Sequence, residues 1–192
     1  MDAPATASAW VARWAPLVPA GEVLDLACGR GRHARLFAAR GHDVVAVDRD
    51  PAALEAATGA KPGRIVPLQH DLEAGAPWPF APGRFAGIVV ANYLHRPLMA
   101  QLLDSLAPGG VLIYETFALG NEAYGKPSNP AFLLAPGELL AHAAGAGLRV
   151  LAYEHGLVAH PKPALVQRLC ATGPAFAPGN AWLDHLSGRN EP

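Results

Sequence analysis

The residues from Val23 to Asp48 have the types and spacing of a site that binds an adenosine cofactor. Gly29 and Gly31 follow the short apolar run Val23–Leu26, and glycine lets a backbone adopt positive φ and lets a ligand approach closely. Asp48 ends a second apolar run, where a carboxylate can accept hydrogen bonds from a ribose diol. These features predict a βαβ unit whose glycine-rich turn holds an adenosine cofactor.

A carboxylate in the first strand indicates which adenosine cofactor this is. A site for a nicotinamide or flavin dinucleotide would read G-x-G-x-x-G, with a third glycine for close helix packing. Here Asp25 precedes the glycines, and His33 and Ala34 occupy the region of the third glycine. A carboxylate there would repel a pyrophosphate and would suit a ligand carrying an ammonium and a sulfonium. A dinucleotide enzyme is therefore the less favoured alternative.

Residues 23–31 read V-L-D-L-A-C-G-R-G. They resemble the first motif of the class I S-adenosylmethionine-dependent methyltransferases, (V/L)-L-D-(L/x)-(A/G)-x-G-x-G. The run from Val111 to Leu140 is similar to small bacterial methyltransferases of the tellurite-resistance-like type. The resemblance extends over residues 20–172. It implies a single Rossmann-like, doubly wound α/β domain with a mostly parallel seven-stranded sheet and an antiparallel last strand.

The resemblance also implies a methyltransferase that uses S-adenosylmethionine and releases S-adenosylhomocysteine. Asp25 would face the amino end of the methionine moiety, and Asp48 would bind the ribose hydroxyls. Asp71 and Leu72 would contact the adenine. Arg49 follows Asp48 and could be mistaken for a phosphate-binding residue of the NADP type, and a solvated surface position is its alternative. The expected cofactor-binding residues are Asp25, Ala27, Gly29, Gly31, His33, Asp48, Arg49, Asp71, Leu72 and Asn92.

The acceptor side is expected in the two polar segments that follow the fourth and fifth predicted strands. Methyl transfer from a sulfonium depends mainly on positioning, and a general base is needed only if the acceptor still holds its proton. Each candidate has a structural alternative. These are a helix-start position for His95, a solvated surface position for Arg96, and a solvated loop for Glu115 and Tyr124. The candidate catalytic residues are His95, Glu115 and Tyr124, and the candidate substrate-binding residues are Tyr93, Arg96 and Phe117.

These residues can act together only if strands and helices bring them to one edge of a sheet. Strands that alternate with helices predict a doubly wound parallel sheet with ligands at the carboxyl ends of the strands. We expect an N-terminal helical segment (1–20), a methyltransferase domain (21–172) and a C-terminal tail (173–192). The predicted strands are 23–26, 44–47, 64–68, 86–91, 111–116, 149–159 and 165–171, and the predicted helices are 5–18, 33–39, 51–58, 97–106 and 138–144.

The charge, histidine spacing and hydropathy of the chain limit the classes of partner that it is expected to bind. A net charge of −1 over 192 residues offers no general basic field for a phosphate backbone. The scattered histidines have no metal-ligand spacing, so no metal is expected. No apolar stretch approaches the ~20 residues of a membrane span, and the first residues do not read as a secretory signal. We expect a cytoplasmic enzyme with a small-molecule acceptor, and the oligomeric state is not predicted.

Two alternative functions stay open. One is an RNA or tRNA methyltransferase, although the N-P-P-Y motif of amino-methylating enzymes is absent after the fourth strand. The other is a non-catalytic module that binds S-adenosylmethionine, because no clear general base is present and the family's aspartate before Ile88 is missing. The basic residues that could form a local RNA-binding patch are Lys126, Arg149, Lys162, Arg168 and Arg189.

Overall fold

The computed structural model describes residues 6–58 and 64–181 of the chain. Strands and helices alternate along most of these residues, as the sequence predicts. The strands are β1 (Val23–Leu26), β2 (Val44–Asp48), β3 (Ile65–Gln69), β4 (Phe85–Ala91), β5 (Leu106–Phe117), β6 (Arg149–Val158) and β7 (Ala164–Thr172). The α-helices are α1 (Ala9–Trp14), α2 (Arg32–Ala39), α3 (Pro51–Thr58), α4 (Met99–Asp104) and α5 (Glu138–Gly145).

The strands form one seven-stranded sheet with the order β3-β2-β1-β4-β5-β7-β6. Strands β1 to β5 pair in parallel, whereas β7 runs antiparallel to both β5 and β6. The predicted Rossmann-like fold with an antiparallel last strand is therefore confirmed. The chain reverses direction across the sheet between β1 and β4, and ligands of such sheets bind at the carboxyl ends beside this switch point.

Helices cover both faces of the sheet, and alternate strand residues supply each side of the core. On one face, α1, α2 and α3 pack against Val23 of β1 and Ile113 of β5, with Trp14 and Phe37 fully buried. On the other face, α4 and α5 pack against residues that include Leu24. Asp25 lies between Leu24 and Leu26 in the strand, so its side chain points to the α2 face.

The remaining differences from the predicted bounds have local causes. Helix α1 ends at Trp14, and a 3-10 turn over Ala15–Leu17 with proline at its start replaces the predicted continuation to residue 18. Strand β5 begins at Leu106 instead of residue 111, because Leu106 pairs with Phe85 of β4 before a register shift. The N–H groups of Gly173 and Ala175 donate to the carbonyls of Gly110 and Pro108 at 2.9 and 2.8 Å.

Parts of two predicted segments lie outside the described residues. These are residues 1–5 of the predicted N-terminal segment and residues 182–192 of the predicted tail, which include Arg189. Within the described residues, every helix is too short or too polar to cross a membrane.

Candidate cofactor-binding site

The turn between β1 and α2 combines left-handed backbone with one tightly packed glycine. Ala27, Gly29 and Gly31 have φ values of 52°, 51° and 72°, and a non-glycine residue in this region is uncommon. A Cβ on Gly31 would lie 2.7 Å from the Cα of Ala57, whereas a Cβ on Gly29 would have no protein atom within 4 Å. Gly31 thus joins the turn to α3, and Gly29 leaves the turn open to a ligand.

Asp48 holds this turn from the end of β2. Its carboxylate accepts hydrogen bonds from the Gly29 N–H at 2.7 Å and from the Asp50 N–H at 3.0 Å. A carboxylate has about four lone-pair sites, so Asp48 keeps acceptor capacity for a ligand after making both contacts. The predicted ribose-binding residue is therefore placed beside the predicted glycine turn.

Asp25 is buried beneath the start of α2. Its carboxylate accepts a hydrogen bond from the Ala34 N–H at 2.8 Å, and only 1% of the residue is exposed. Burial raises the pKa of Asp25 from 3.8 to about 7, although the bond from Ala34 and the positive charges of Arg32 and Arg35 oppose this increase. Asp25 thus connects β1 to the first turn of α2, and its contact with the methionine moiety remains a prediction.

His33 is buried in the first turn of the same helix. Its Nε2 accepts a hydrogen bond from the Ser8 N–H at 3.3 Å, and the Ser8 hydroxyl accepts one from the Val11 N–H at 3.1 Å. Burial, helped by the charge of Arg32, lowers the pKa of His33 from 6.5 to about 3. The neutral imidazole therefore ties the start of α1 to the glycine turn, a role that its sequence position did not indicate.

A cavity of about 210 Å³ opens beside Asp48, at the carboxyl ends of the parallel strands. It contains five of the predicted cofactor-binding residues and Tyr93, which was predicted on the acceptor side. His70 and Glu73 also line it and were missed, and their only signal in the sequence was adjacency to Asp71 after β3. The lining residues are Ala27, Asp48, Arg49, His70, Asp71, Leu72, Glu73 and Tyr93.

The segment after β3 is folded so that its acidic side chains reach the cavity. The His70 N–H donates to the Asp48 carbonyl at 3.0 Å, and the Asp71 carboxylate accepts from the Glu73 N–H at 2.9 Å. With Asp48, the cavity has three carboxylates and a single guanidinium, that of Arg49. Such a lining favours a neutral or cationic ligand over a pyrophosphate.

Asn92 and Tyr93 directly follow β4 at the carboxyl end of that strand. The Tyr93 hydroxyl is buried and faces the Glu73 carboxylate. Burial, the charges of Glu73 and Asp71 and the interaction of the hydroxyl with the Glu73 side chain raise the Tyr93 pKa above the ordinary value for tyrosine, so the hydroxyl keeps its proton at neutral pH. Asn92 is exposed in the left-handed region with a φ of 58° and does not line the cavity.

Arg96 already has protein partners. The Arg96 guanidinium donates two hydrogen bonds to Glu138 at 2.6 and 2.9 Å and one each to the carbonyls of Ala131 and Leu133 at 2.7 and 2.8 Å. Arg96 therefore joins the segment before α4 to α5, and its role in binding the acceptor remains a prediction.

Glu115 lies in a charged cluster near α1. It is buried, and its carboxylate accepts a hydrogen bond from the Arg168 Nε at 3.2 Å. Arg168 also donates to Glu154 at 3.3 Å, and its guanidinium lies 5.9 Å from the Trp10 ring centre. This arrangement gives Glu115 a structural ion pair, and a role in catalysis stays a prediction.

The loop after β5 is held by a residue that its sequence context did not single out. Asn121 is buried, its amide donates to the Pro127 carbonyl at 3.0 Å, and its side-chain oxygen accepts from the Leu165 N–H at 3.0 Å. Tyr124 is 48% exposed in this loop. His95, Tyr124 and Phe117 do not line the 210 Å³ cavity, and their acceptor-side roles remain predictions.

The glycine turn, Asp48 and the ends of the first four strands fall within one family match. Residues 23–110 match the family model described as a methyltransferase domain. This match covers just under half of the chain. The resemblance seen in its first motif is therefore confirmed, and the matched segment holds every residue that lines the cavity.

Known proteins similar to this chain include one curated relative and several solved structures. The trans-aconitate 2-methyltransferase of Sinorhizobium fredii is 32% identical over 105 residues, covering 50% of this chain and 38% of the relative. TehB from Haemophilus influenzae superposes with a TM-score of 0.70 at 18% identity, covering 85% of this chain and 61% of TehB. A TehB-like SAM-dependent methyltransferase from Corynebacterium glutamicum gives a TM-score of 0.63 at 21% identity, covering 88% and 90%.

These likenesses establish the fold and leave the acceptor open. The chain spans 38% of the length of the curated relative and 61% of the TehB chain. The structural similarities, at 18% and 21% identity, confirm the Rossmann-like architecture. The reaction and its acceptor are therefore inferred below from the residues of the site in this chain.

Proposed function

We propose that this protein is an S-adenosylmethionine-dependent methyltransferase that binds its cofactor along the glycine turn and in the 210 Å³ cavity. The acidic cavity at the ends of the first four strands carries the proposal, because it suits a cationic adenosine ligand. Two properties of the residues present fit this ligand. Gly29 leaves open space where a Cβ would stand, and the Asp48 carboxylate keeps acceptor capacity after its two backbone contacts.

Each part of the cofactor has a proposed partner. Asp48 would accept hydrogen bonds from the ribose hydroxyls, in addition to its two backbone contacts. Asp71 has one oxygen engaged by the Glu73 N–H, and its other oxygen would accept from the adenine amino group. The open backbone at Gly29 would pass beside the methionine moiety, with Asp25 acting from beneath the turn.

The protein's contribution to the reaction is alignment. When bound, S-adenosylmethionine supplies a sulfonium-linked methyl group, and its carbon forms a bond to the acceptor as the carbon–sulfur bond breaks. Holding the acceptor in line with that bond can supply ~7–11 kcal/mol in favourable systems. The rigid strand ends and the anchored loop after β5 would provide this alignment, and His95 or Tyr124 would remove a proton where the acceptor retains one.

A small-molecule acceptor is supported better than RNA. The curated relative is named for methylation of trans-aconitate, which is a small molecule. In the basic patch considered for RNA, Arg168 is engaged by Glu115 and Glu154, and the Arg149 guanidinium donates to the Phe176 carbonyl at 3.0 Å. No observation in the described residues therefore favours an RNA-binding face.

Isothermal titration calorimetry with S-adenosylmethionine, S-adenosylhomocysteine and NAD tests the cofactor. We expect micromolar affinity for both adenosyl ligands, no binding of NAD, and a loss of about tenfold or more in Asp48→Ala. Asp43→Ala, an exposed carboxylate just before β2, is the matched control and should bind as wild type. A preference for NAD, or no binding of either adenosyl ligand, would contradict the proposal.

Turnover separates an enzyme from a module that only binds the cofactor. Release of S-adenosylhomocysteine is measured with pools of carboxylate, thiol and chalcogen-oxyanion acceptors and with total tRNA. We expect release with a small-molecule pool. Tight cofactor binding without release from any pool would favour the binding module, and release with tRNA alone would favour the RNA alternative.

A further inference from the structure

The two edges of the sheet differ in how well they are protected from pairing with another chain. At one edge, β3 has five residues and contains Pro67, and short strands and proline both discourage pairing at an edge. At the other edge, β6 has ten residues and no proline. Its outer side pairs with no strand of the described residues. The outer backbone groups of β6 can therefore pair with a further strand.

Two large apolar side chains are exposed on β6 and lie on the same face of the sheet. Val150 is 37% and Leu157 57% exposed. They lie opposite Ala171 and Leu165 of β7, which are six residues apart and therefore share a face. A register shift between Val150 and Ala152 produces this arrangement, because an odd separation along a regular strand would place the two side chains on opposite faces.

The two apolar side chains are also placed symmetrically about Glu154. The β7 partners of Val150 and Leu157 each lie three residues from Arg168, which is opposite Glu154. A twofold axis through Glu154 and perpendicular to the sheet would set Val150 of each copy against Leu157 of the other, on one face. An isologous contact requires this reciprocity, whereas an unrelated strand does not. A second copy of the chain is therefore the partner that β6 fits.

The charges at the proposed axis are balanced within each copy. Two Glu154 side chains would face each other there, and like charges directly opposite are unfavourable. Each Glu154 carboxylate accepts a hydrogen bond from Arg168 at 3.3 Å and lies 3.8 Å from the Arg13 guanidinium. These arginines offset the repulsion, and a net charge of −1 per chain adds little to it.

We infer that β6 is an interface at which two copies of this chain pair antiparallel about Glu154 and join their sheets into one. Backbone hydrogen bonds would hold the two strands together, and the Val150–Leu157 contacts would bury apolar surface at both ends. The inference goes beyond the proposed function and does not depend on it, because no residue of β6 lines the 210 Å³ cavity.

Sedimentation velocity over a concentration series tests the pairing with exchanged charges. We expect wild type to sediment as a dimer, and Val150→Glu or Leu157→Lys to weaken self-association by about tenfold or more. The double variant should recover the dimer, because each glutamate then faces a lysine of the other copy. Within one chain the two positions are about 20 Å apart, so they cannot pair there. Val66→Lys, exposed on β3, is the control and should remain dimeric.

Cysteine cross-linking tests the position of the axis. Glu154→Cys places the two thiols directly opposite each other and should give a disulfide-linked dimer on mild oxidation. His155→Cys is the matched control. Its thiols would be diagonal neighbours about 7–8 Å apart, so it should cross-link much less. Both native cysteines are buried and should not contribute.

Each contrary outcome overturns the inference. Wild type that is monomeric throughout the series excludes the interface, and a dimer that neither single variant weakens has its interface elsewhere. A double variant that stays monomeric, while circular dichroism shows it folded, contradicts the Val150–Leu157 contact. Stronger cross-linking of His155→Cys than of Glu154→Cys contradicts an axis at Glu154. Cofactor binding by calorimetry is expected to be unchanged in all of these variants, so its loss in wild type would bear on the proposed function alone.

Discussion

At the residue scale, the turn between β1 and α2 separates two uses of glycine. Gly29 and Gly31 both have left-handed backbone, so an L side chain is strained at either position. Only Gly31 also lacks space, because Ala57 of α3 occupies the position of its Cβ. The turn therefore has one glycine that the fold requires and one that leaves room for a ligand.

Alanine substitution should separate these two uses. Gly29→Ala should lower the free energy of unfolding by about 1–2 kcal/mol, the cost of placing a side chain on left-handed backbone. It should also weaken the binding of S-adenosylhomocysteine, because the alanine methyl group would occupy space proposed for the ligand. Gly31→Ala should cost about 1–3 kcal/mol more, because of the overlap with Ala57. Urea unfolding and calorimetry measure both effects. Equal stability losses would show that the Ala57 contact relaxes freely.

At the element scale, side chains distant in sequence fix how the helices sit around the site. The buried His33 joins the start of α1, through Ser8, to the start of α2. Arg96 joins the segment before α4 to α5, with Glu138 42 residues away. Asn121 holds the loop after β5 against β7. These contacts hold the helices and the loop after β5 in place, and Tyr124 is exposed on that loop.

The Arg96 clamp should be measurable as stability. Arg96→Met keeps the apolar stem, removes four hydrogen bonds and leaves the Glu138 carboxylate without its main partner, so we expect a loss of about 1–3 kcal/mol in urea unfolding. Arg84→Met is the control, because the Arg84 guanidinium hydrogen-bonds only to Glu22. Methionine keeps an apolar side chain beside the rings of Phe80 and Phe85, so this change should cost about 1 kcal/mol or less. An Arg96 variant of wild-type stability with a raised KM would contradict this expectation and would support the predicted acceptor-binding role of Arg96.

At the scale of the whole molecule, two buried groups act on stability in opposite directions as the pH changes. The pKa of His33 falls from 6.5 to about 3 on folding, so its contribution is present above pH 6.5 and is lost as the pH falls toward 3. The pKa of Asp25 rises from 3.8 to about 7, so its contribution is present below pH 3.8 and is lost as the pH rises toward 7. The two dependences largely offset each other between pH 3.8 and 6.5.

Uncharged substitutions of Asp25 and His33 should reveal how each group changes the stability with pH. Asp25→Asn retains an acceptor for the Ala34 N–H, and its stability should fall more steeply than that of wild type from pH 6.5 to 4. His33→Gln retains an acceptor for the Ser8 N–H, and it should become more stable relative to wild type over the same interval. Urea unfolding at half-unit pH steps measures both slopes. Parallel curves for the three proteins would contradict the opposing contributions of the two groups.

The sequence by itself determined the order of the elements, the glycine turn and the acids at the ends of β2 and β3. These features are local: apolar runs set the strands, Gly29 and Gly31 set the turn, and chain order places Asp48 and Asp71 at one edge of a parallel sheet. Six of the eight residues that line the cavity were accordingly among the predicted site residues.

Only the tertiary structure decided which polar side chains remain free for a ligand. Arg96 and Glu115 have the chemistry of acceptor-side residues, yet partners 42 and 53 residues away engage them. Burial likewise sets the protonation of Asp25 and His33, and burial depends on how helices pack across the sheet. Pairing and desolvation are long-range properties, so local spacing could locate the site but could not identify its free donors and acceptors.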